Sequence, residues 1–155
     1  MKLNLLRSVF LLSFVLISFS GVYAQRNVTP TLDPILEADA KHNLDVAMQA
    51  FNPLKKAYKQ VIMRFEETYA AYPEFSGMGT FLYIAGMSSY YLSNNKGKQK
   101  ITVAMTEDEK KKYAPEKLRE DATMYLTMLV QKYPKSKHKS DAEKTLKELE
   151  SASQK

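Results

Sequence analysis

Beyond position 32, apolar side chains recur every three or four residues along most of the chain, and the breaks in that rhythm fall at proline. Asp33-Pro34 predicts a helix start, because aspartate accepts backbone N–H bonds at an N-cap and proline is pre-shaped for the first helical position. Leu36, Ala40, Leu44, Ala47 and Phe51 then mark one apolar face. Asn52-Pro53 ends this helix and is expected to start a second, whose stripe is Leu54, Tyr58, Val61, Phe65, Tyr69 and Tyr72 and whose stop is Tyr72-Pro73. The third helix, Ser76 to Ser93, differs in kind. No residue from Gly77 to Ser93 is charged, and Phe81, Leu82, Tyr83, Ile84, Ala85, Met87, Tyr90, Tyr91 and Leu92 cover nearly its whole circumference. Such a helix must be covered on several sides, and Gly86 beside Ala85 predicts close approach of a neighbouring backbone.

The stretch from Asn94 to Ala114 reads as an inserted loop: Lys96-Gly97-Lys98-Gln99-Lys100 is basic and turn-like, Ile101 to Met105 is apolar, and Thr106-Glu107-Asp108-Glu109 fits a capping box for a short helical turn. Pro115 opens a fourth helix with Leu118, Ala122, Tyr125, Leu126, Leu129 and Tyr133 on its stripe, and Tyr133-Pro134 closes it. A fifth, from about Ser136, carries Ala142, Leu146 and Leu149 on one face. The expectation is an all-α domain over residues 33–152, with about five helices in antiparallel pairs.

Residues 1–24 read as an address. Lys2 and Arg7 precede an apolar run from Val9 to Phe19, and Val22-Tyr23-Ala24 places a small residue before an expected cut at Ala24/Gln25. A run of eleven residues, nine of them apolar, is too short for a spanning helix, which needs about 20. Residues 25–32 then form a tether. The expected compartment is the bacterial periplasm, with a mature chain that has no transmembrane segment.

The absence of cysteine from the 155 residues excludes disulfides, thiol nucleophiles, cysteine-ligated metals and lipid attached to cysteine. Of the formal charge of +6, Lys2 and Arg7 contribute two, and so small a surplus spread among many acids is no nucleic-acid footprint. No catalytic constellation stands out. His42 and His138 lie far from any metal-ligand spacing and read as exposed surface histidines. The neighbouring acids Glu66-Glu67 point in different directions on a helix, and those at 107–109 suit a helix start. Met63, Met87, Met124 and Met128 read as core filler. No metal, cofactor or enzymatic activity is expected.

The two Tyr-Pro stops lie 61 residues apart, and the segments before them align without gaps: Phe65 matches Leu126 and Val61 matches Ala122. Ala122, Leu126 and Pro134 fit the second helix of a tetratricopeptide repeat. The run Tyr133-Pro134-Lys135-Ser136 leading to Asp141-Ala142 and Leu146, with Tyr72-Pro73-Glu74-Phe75 leading to Tyr83-Ile84-Ala85-Gly86 and Tyr90-Tyr91, resembles the repeats of the outer-membrane assembly protein BamD and its relatives. That resemblance implies a short tetratricopeptide-like α-α superhelix and a non-enzymatic role in outer-membrane or envelope protein assembly. It does not carry over a lipid anchor, since there is no cysteine to acylate.

In a superhelix of this type the first helix of each pair lines the concave side. Tyr83, Tyr90 and Tyr91, beside His42 and Asn43 of the first helix, are therefore the candidate partner-binding residues, since tyrosine offers apolar area plus a hydroxyl at low entropic cost. The same rings also suit plain interhelical packing. Lys96, Lys98 and Lys100 are candidate contacts with acidic lipid at a membrane surface, or simply a solvated basic loop. Two functional classes remain beside each other: a protein-binding scaffold with a protein or peptide partner in the cell envelope, and a carrier of a small hydrophobic ligand that uses the aromatic and Met-rich faces. A hydrolase with an unrecognised site is a third.

Overall fold

The computed structural model describes residues 33–99 and 105–153. The leader, the tether and Lys100 lie outside the described residues. Among these residues there are six helices and no strand: α1 (Pro34–Phe51), α2 (Tyr58–Ala71), α3 (Met78–Ser93), α4 (Glu107–Lys112), α5 (Pro115–Lys132) and α6 (Lys139–Ser153). The sixth element relative to the expected five is α4, six residues opened by the full Thr106/Glu109 capping box.

Asp33 caps α1 by accepting from the backbone N–H groups of Ile35 (2.9 Å) and Leu36 (3.4 Å). The end of α1 corrects the expected start of the next helix. Asn52 takes Leu54 N–H on its side chain (2.8 Å) and Lys55 and Lys56 N–H on its carbonyl, Lys56 turns left-handed (φ 47°), and Ala57 N–H returns to the Ala50 carbonyl. Pro53 to Ala57 are thereby held in a turn, α2 starts at Tyr58, and Leu54 is 80% exposed instead of joining the apolar stripe. Leu36, also placed on a stripe, is exposed on the first turn of α1. Ala57 offers no side-chain cap to α2, and Gln99 supplies one from across the chain by accepting from Lys59 N–H (3.1 Å) and Gln60 N–H (3.4 Å).

The two Tyr-Pro junctions are built alike. Tyr72 N–H bonds to Thr68 and Tyr133 N–H to Leu129; Phe75 N–H bonds to Tyr72 and Ser136 N–H to Tyr133; Met78 N–H bonds to Phe75 and Lys139 N–H to Ser136. Every partner pair is shifted by the same 61 residues. The matched positions Val61, Phe65, Ala122 and Leu126 are all fully buried. The Phe65 ring meets Phe81 at 5.5 Å and Tyr125 at 4.7 Å, which locks α2, α3 and α5 together.

α3 packs most extensively against α5, then α2, and touches α1 along one edge. Contacts between α1 and α3 climb both helices together, from Glu37–Ser76 to Phe51–Tyr91, so the two run parallel. Those between α3 and α6 climb likewise, from Tyr83–His138 through Met87–Thr145 to Tyr90–Glu148. Three parallel helices, α1, α3 and α6, thus form one layer, backed by α2 and α5 in the manner of a tetratricopeptide-like array. A second apolar cluster of Tyr58, Ile62, Leu92, Tyr113 and Leu118 anchors the end of the inserted segment through Tyr113.

Candidate functional site

The charge-free α3 sits in the middle of the three-helix layer, and its tyrosines divide between its two seams. On the α6 side, Tyr83 stacks flat on His138 (4.1 Å between centroids, 7° between planes), and the Tyr90 hydroxyl donates to Glu148 Oε2 at 2.7 Å. Burial and the nearby Asp141 carboxylate raise the Tyr83 pKa, whereas for Tyr90 the bond to Glu148 is the leading cause and burial the second. Between these two contacts the Thr145 hydroxyl lies 3.5 Å from Met87 Sδ while its single proton has the Asp141 carbonyl of its own helix at 3.1 Å. Tyr83 with Asp141, Met87 with Thr145 and Tyr90 with Glu148 share one register of 58 residues, so a polar seam joins two parallel helices. All three tyrosines are half-buried.

Tyr91 faces the other way. Its ring packs at 5.3 Å from Tyr58 and 6.3 Å from Phe51, and Lys96 Nζ lies 5.7 Å over its face. Together with Pro53, Lys56 and Gly97 these residues line a cleft of about 570 Å³. The Tyr90 and Tyr91 rings still touch, at 5.7 Å.

His42 and Asn43 do not join the tyrosines. Asn43 Oδ1 accepts from Arg64 of α2 at 3.4 Å, on the flank of α1 away from α3, and His42 is exposed half a turn from Leu44, whose side chain packs on Gly77. The α1 residues that flank the Leu44–Phe51 seam opposite α2 are instead Lys41 and Met48, both exposed. Lys96 and Lys98 are exposed after α3, and Lys98 N–H bonds to the Lys56 carbonyl (3.2 Å), which ties the basic stretch to the turn before α2.

His138 is not the solvated histidine expected: its ring is half-buried against Tyr83, and burial, then Lys137, hold its pKa below the usual value while Asp141 opposes them. Met87 is buried as expected of core filler, but Met63 and Met124 are about half exposed on α2 and α5. Among the described residues no three His, Asp or Glu side chains gather as metal ligands. The partners on α6 were readable in one signal, the shared spacing of seven in Tyr83/Tyr90 and Asp141/Glu148. No helix among the described residues is long and apolar enough to cross a membrane. No family model matches this chain, and neither the curated proteins nor the solved structures contain a significant match.

Proposed function

We propose that the chain is a periplasmic, non-enzymatic protein-binding scaffold that acts in outer-membrane or envelope protein assembly and takes a partner segment on the open side of the α1–α3–α6 layer. The observation that carries this reading is the parallel layer itself, whose open side presents Met48 and Lys41 of α1, the half-buried Tyr83 and Tyr90 of α3, and Lys144 and Glu148 of α6. Half-exposed aromatic anchors ringed by mixed charges suit an extended polypeptide, and truncating one such anchor commonly costs at least about 2 kcal/mol of binding. Peripheral membrane contact belongs to the same reading: segments 52–59 and 94–114 hold nine lysines against three acids, and Leu54 stands exposed beside Lys55 and Lys56.

Site-specific photo-crosslinking in the native periplasm tests the scaffold. A crosslinker at position 48 or 90 should capture a discrete partner, while one at the exposed Met63 or Met124, on the backing helices, should not. Equal capture at all four positions, or capture only at 63 and 124, would refute the assignment.

A further inference from the structure

The cleft between the turn before α2 and the end of α3 goes beyond the partner-binding face, since it shares neither Tyr83 nor Tyr90, although its Lys56 and Lys96 belong to the basic segments assigned above to membrane contact. Three rings line it: Phe51 and Tyr91 lie within 21° of parallel, and Tyr58 is tilted against both. Lys56 and Lys96 both line it, with the Lys96 ammonium over the Tyr91 ring, and neither has an ion-pair partner among the described residues. Among the described residues no acidic side chain lines the cleft.

Its walls are held by unusual backbone. Lys56, which lines the cleft, is one of two non-glycine residues with positive φ among those described (47°), a conformation that costs a side-chain-bearing residue. Gly97 has φ 110°, and a Cβ there would lie 2.7 Å from the Tyr58 ring, so only glycine lets the Lys96–Lys98 turn close over the aromatic floor. The Lys98 N–H bond to the Lys56 carbonyl then joins the two cation-bearing turns.

We propose that this cleft binds a small planar aromatic anion, an aryl carboxylate or sulfonate, with its ring against Phe51 and Tyr91 and its charge between Lys56 and Lys96. Ring faces favour a planar apolar body. The two lysines, unpaired among the described residues, favour a negative charge, and the Lys96 ammonium rests over the Tyr91 ring that such a ligand would contact.

The test is calorimetric titration of the chain with 2-naphthoate and with its uncharged analogue 2-naphthalenemethanol, followed by Lys56→Gly, Lys96→Gln and Tyr91→Leu variants. Naphthoate should bind and the alcohol more weakly. Lys56→Gly and Lys96→Gln should each weaken naphthoate by about fivefold, the size of one partly exposed ion pair, with little effect on the alcohol, whereas Tyr91→Leu should weaken both. Lys56→Gly also relieves the left-handed backbone, so its melting temperature should hold or rise, which separates lost binding from lost folding. Equal affinity for acid and alcohol, unchanged naphthoate binding in both lysine variants, or binding of anionic vesicles with none of naphthoate would each overturn the proposal. None of these outcomes bears on crosslinking at positions 48 and 90.

Discussion

At the scale of single residues, the seam between α3 and α5 turns on Gly86. A Cβ added there would lie 2.7 Å from both Cγ and Cδ2 of Leu126, a side chain that is itself fully buried and has nowhere to retreat. Gly86→Ala would gain about 1 kcal/mol of intrinsic helicity and still lose stability, because overpacking a filled core costs about 1 to 3 kcal/mol. Leu126→Ala and Phe65→Ala, which empty fully buried positions, should each cost about 2 to 5 kcal/mol. The two effects at the seam share one space, so Gly86→Ala with Leu126→Ala should be less harmful than the sum of the singles, and urea titration of the four proteins checks this. That something would come close to Gly86 was legible from Gly beside Ala in a helix without charge, but the expected backbone stands at ordinary contact distance and it is the Leu126 side chain that fills the space. Which residue approached was not, because Leu126 lies 40 positions away.

At the scale of elements, the repeat was legible because it is written in packing and capping residues that act locally. Tyr-Pro stops the helix wherever it stands, and the apolar positions eight and twelve residues before the proline follow from helical period alone. The start of α2 was misread for the complementary reason. Pro53 is as good a first helical residue as Pro34, but the Asn52 side chain and the left-handed Lys56 hold a turn around it, and the cap that α2 needs comes from Gln99. A cap delivered from 40 residues away leaves no pattern beside the helix it serves. Gln99→Ala should therefore cost about 0.5 to 2 kcal/mol, the worth of a helix cap. It should also loosen the 96–99 turn, and faster hydrogen exchange at the first amides of α2 is the measurement that reads it.

At the scale of the whole molecule, α3 sits between α1 and α6 with α2 and α5 behind it, whereas α6 ends the layer, resting on α5 and along the half-exposed tyrosines of α3, so the α6 seam with α3 is where solution conditions can act. The fold class and the paired helices were legible, since an uncharged third helix demands neighbours on several sides; the division of its tyrosines between two seams was not, because a helix apolar all round carries no preferred face. His138 is the seam's titratable reporter. Its Nε2 is enclosed without a hydrogen-bond partner among the described residues, and burial together with Lys137 depresses its pKa below 6.5. The unfolded chain therefore takes up this proton first as pH falls, and between the unfolded and folded pKa values it binds more protons than the native state. The contribution of His138 to stability is present above about pH 6.5, falls away as pH drops below that value, and stops changing once the folded pKa is passed. His138→Phe keeps a ring against Tyr83 and removes the proton, so the melting temperature of the variant should drop less between about pH 7.5 and about pH 5 than that of the parent. The acidic groups common to both proteins set the remaining drop, so an identical fall in the two would show that the ring of His138 is hydrated in solution and that α6 is not docked on Tyr83 as described.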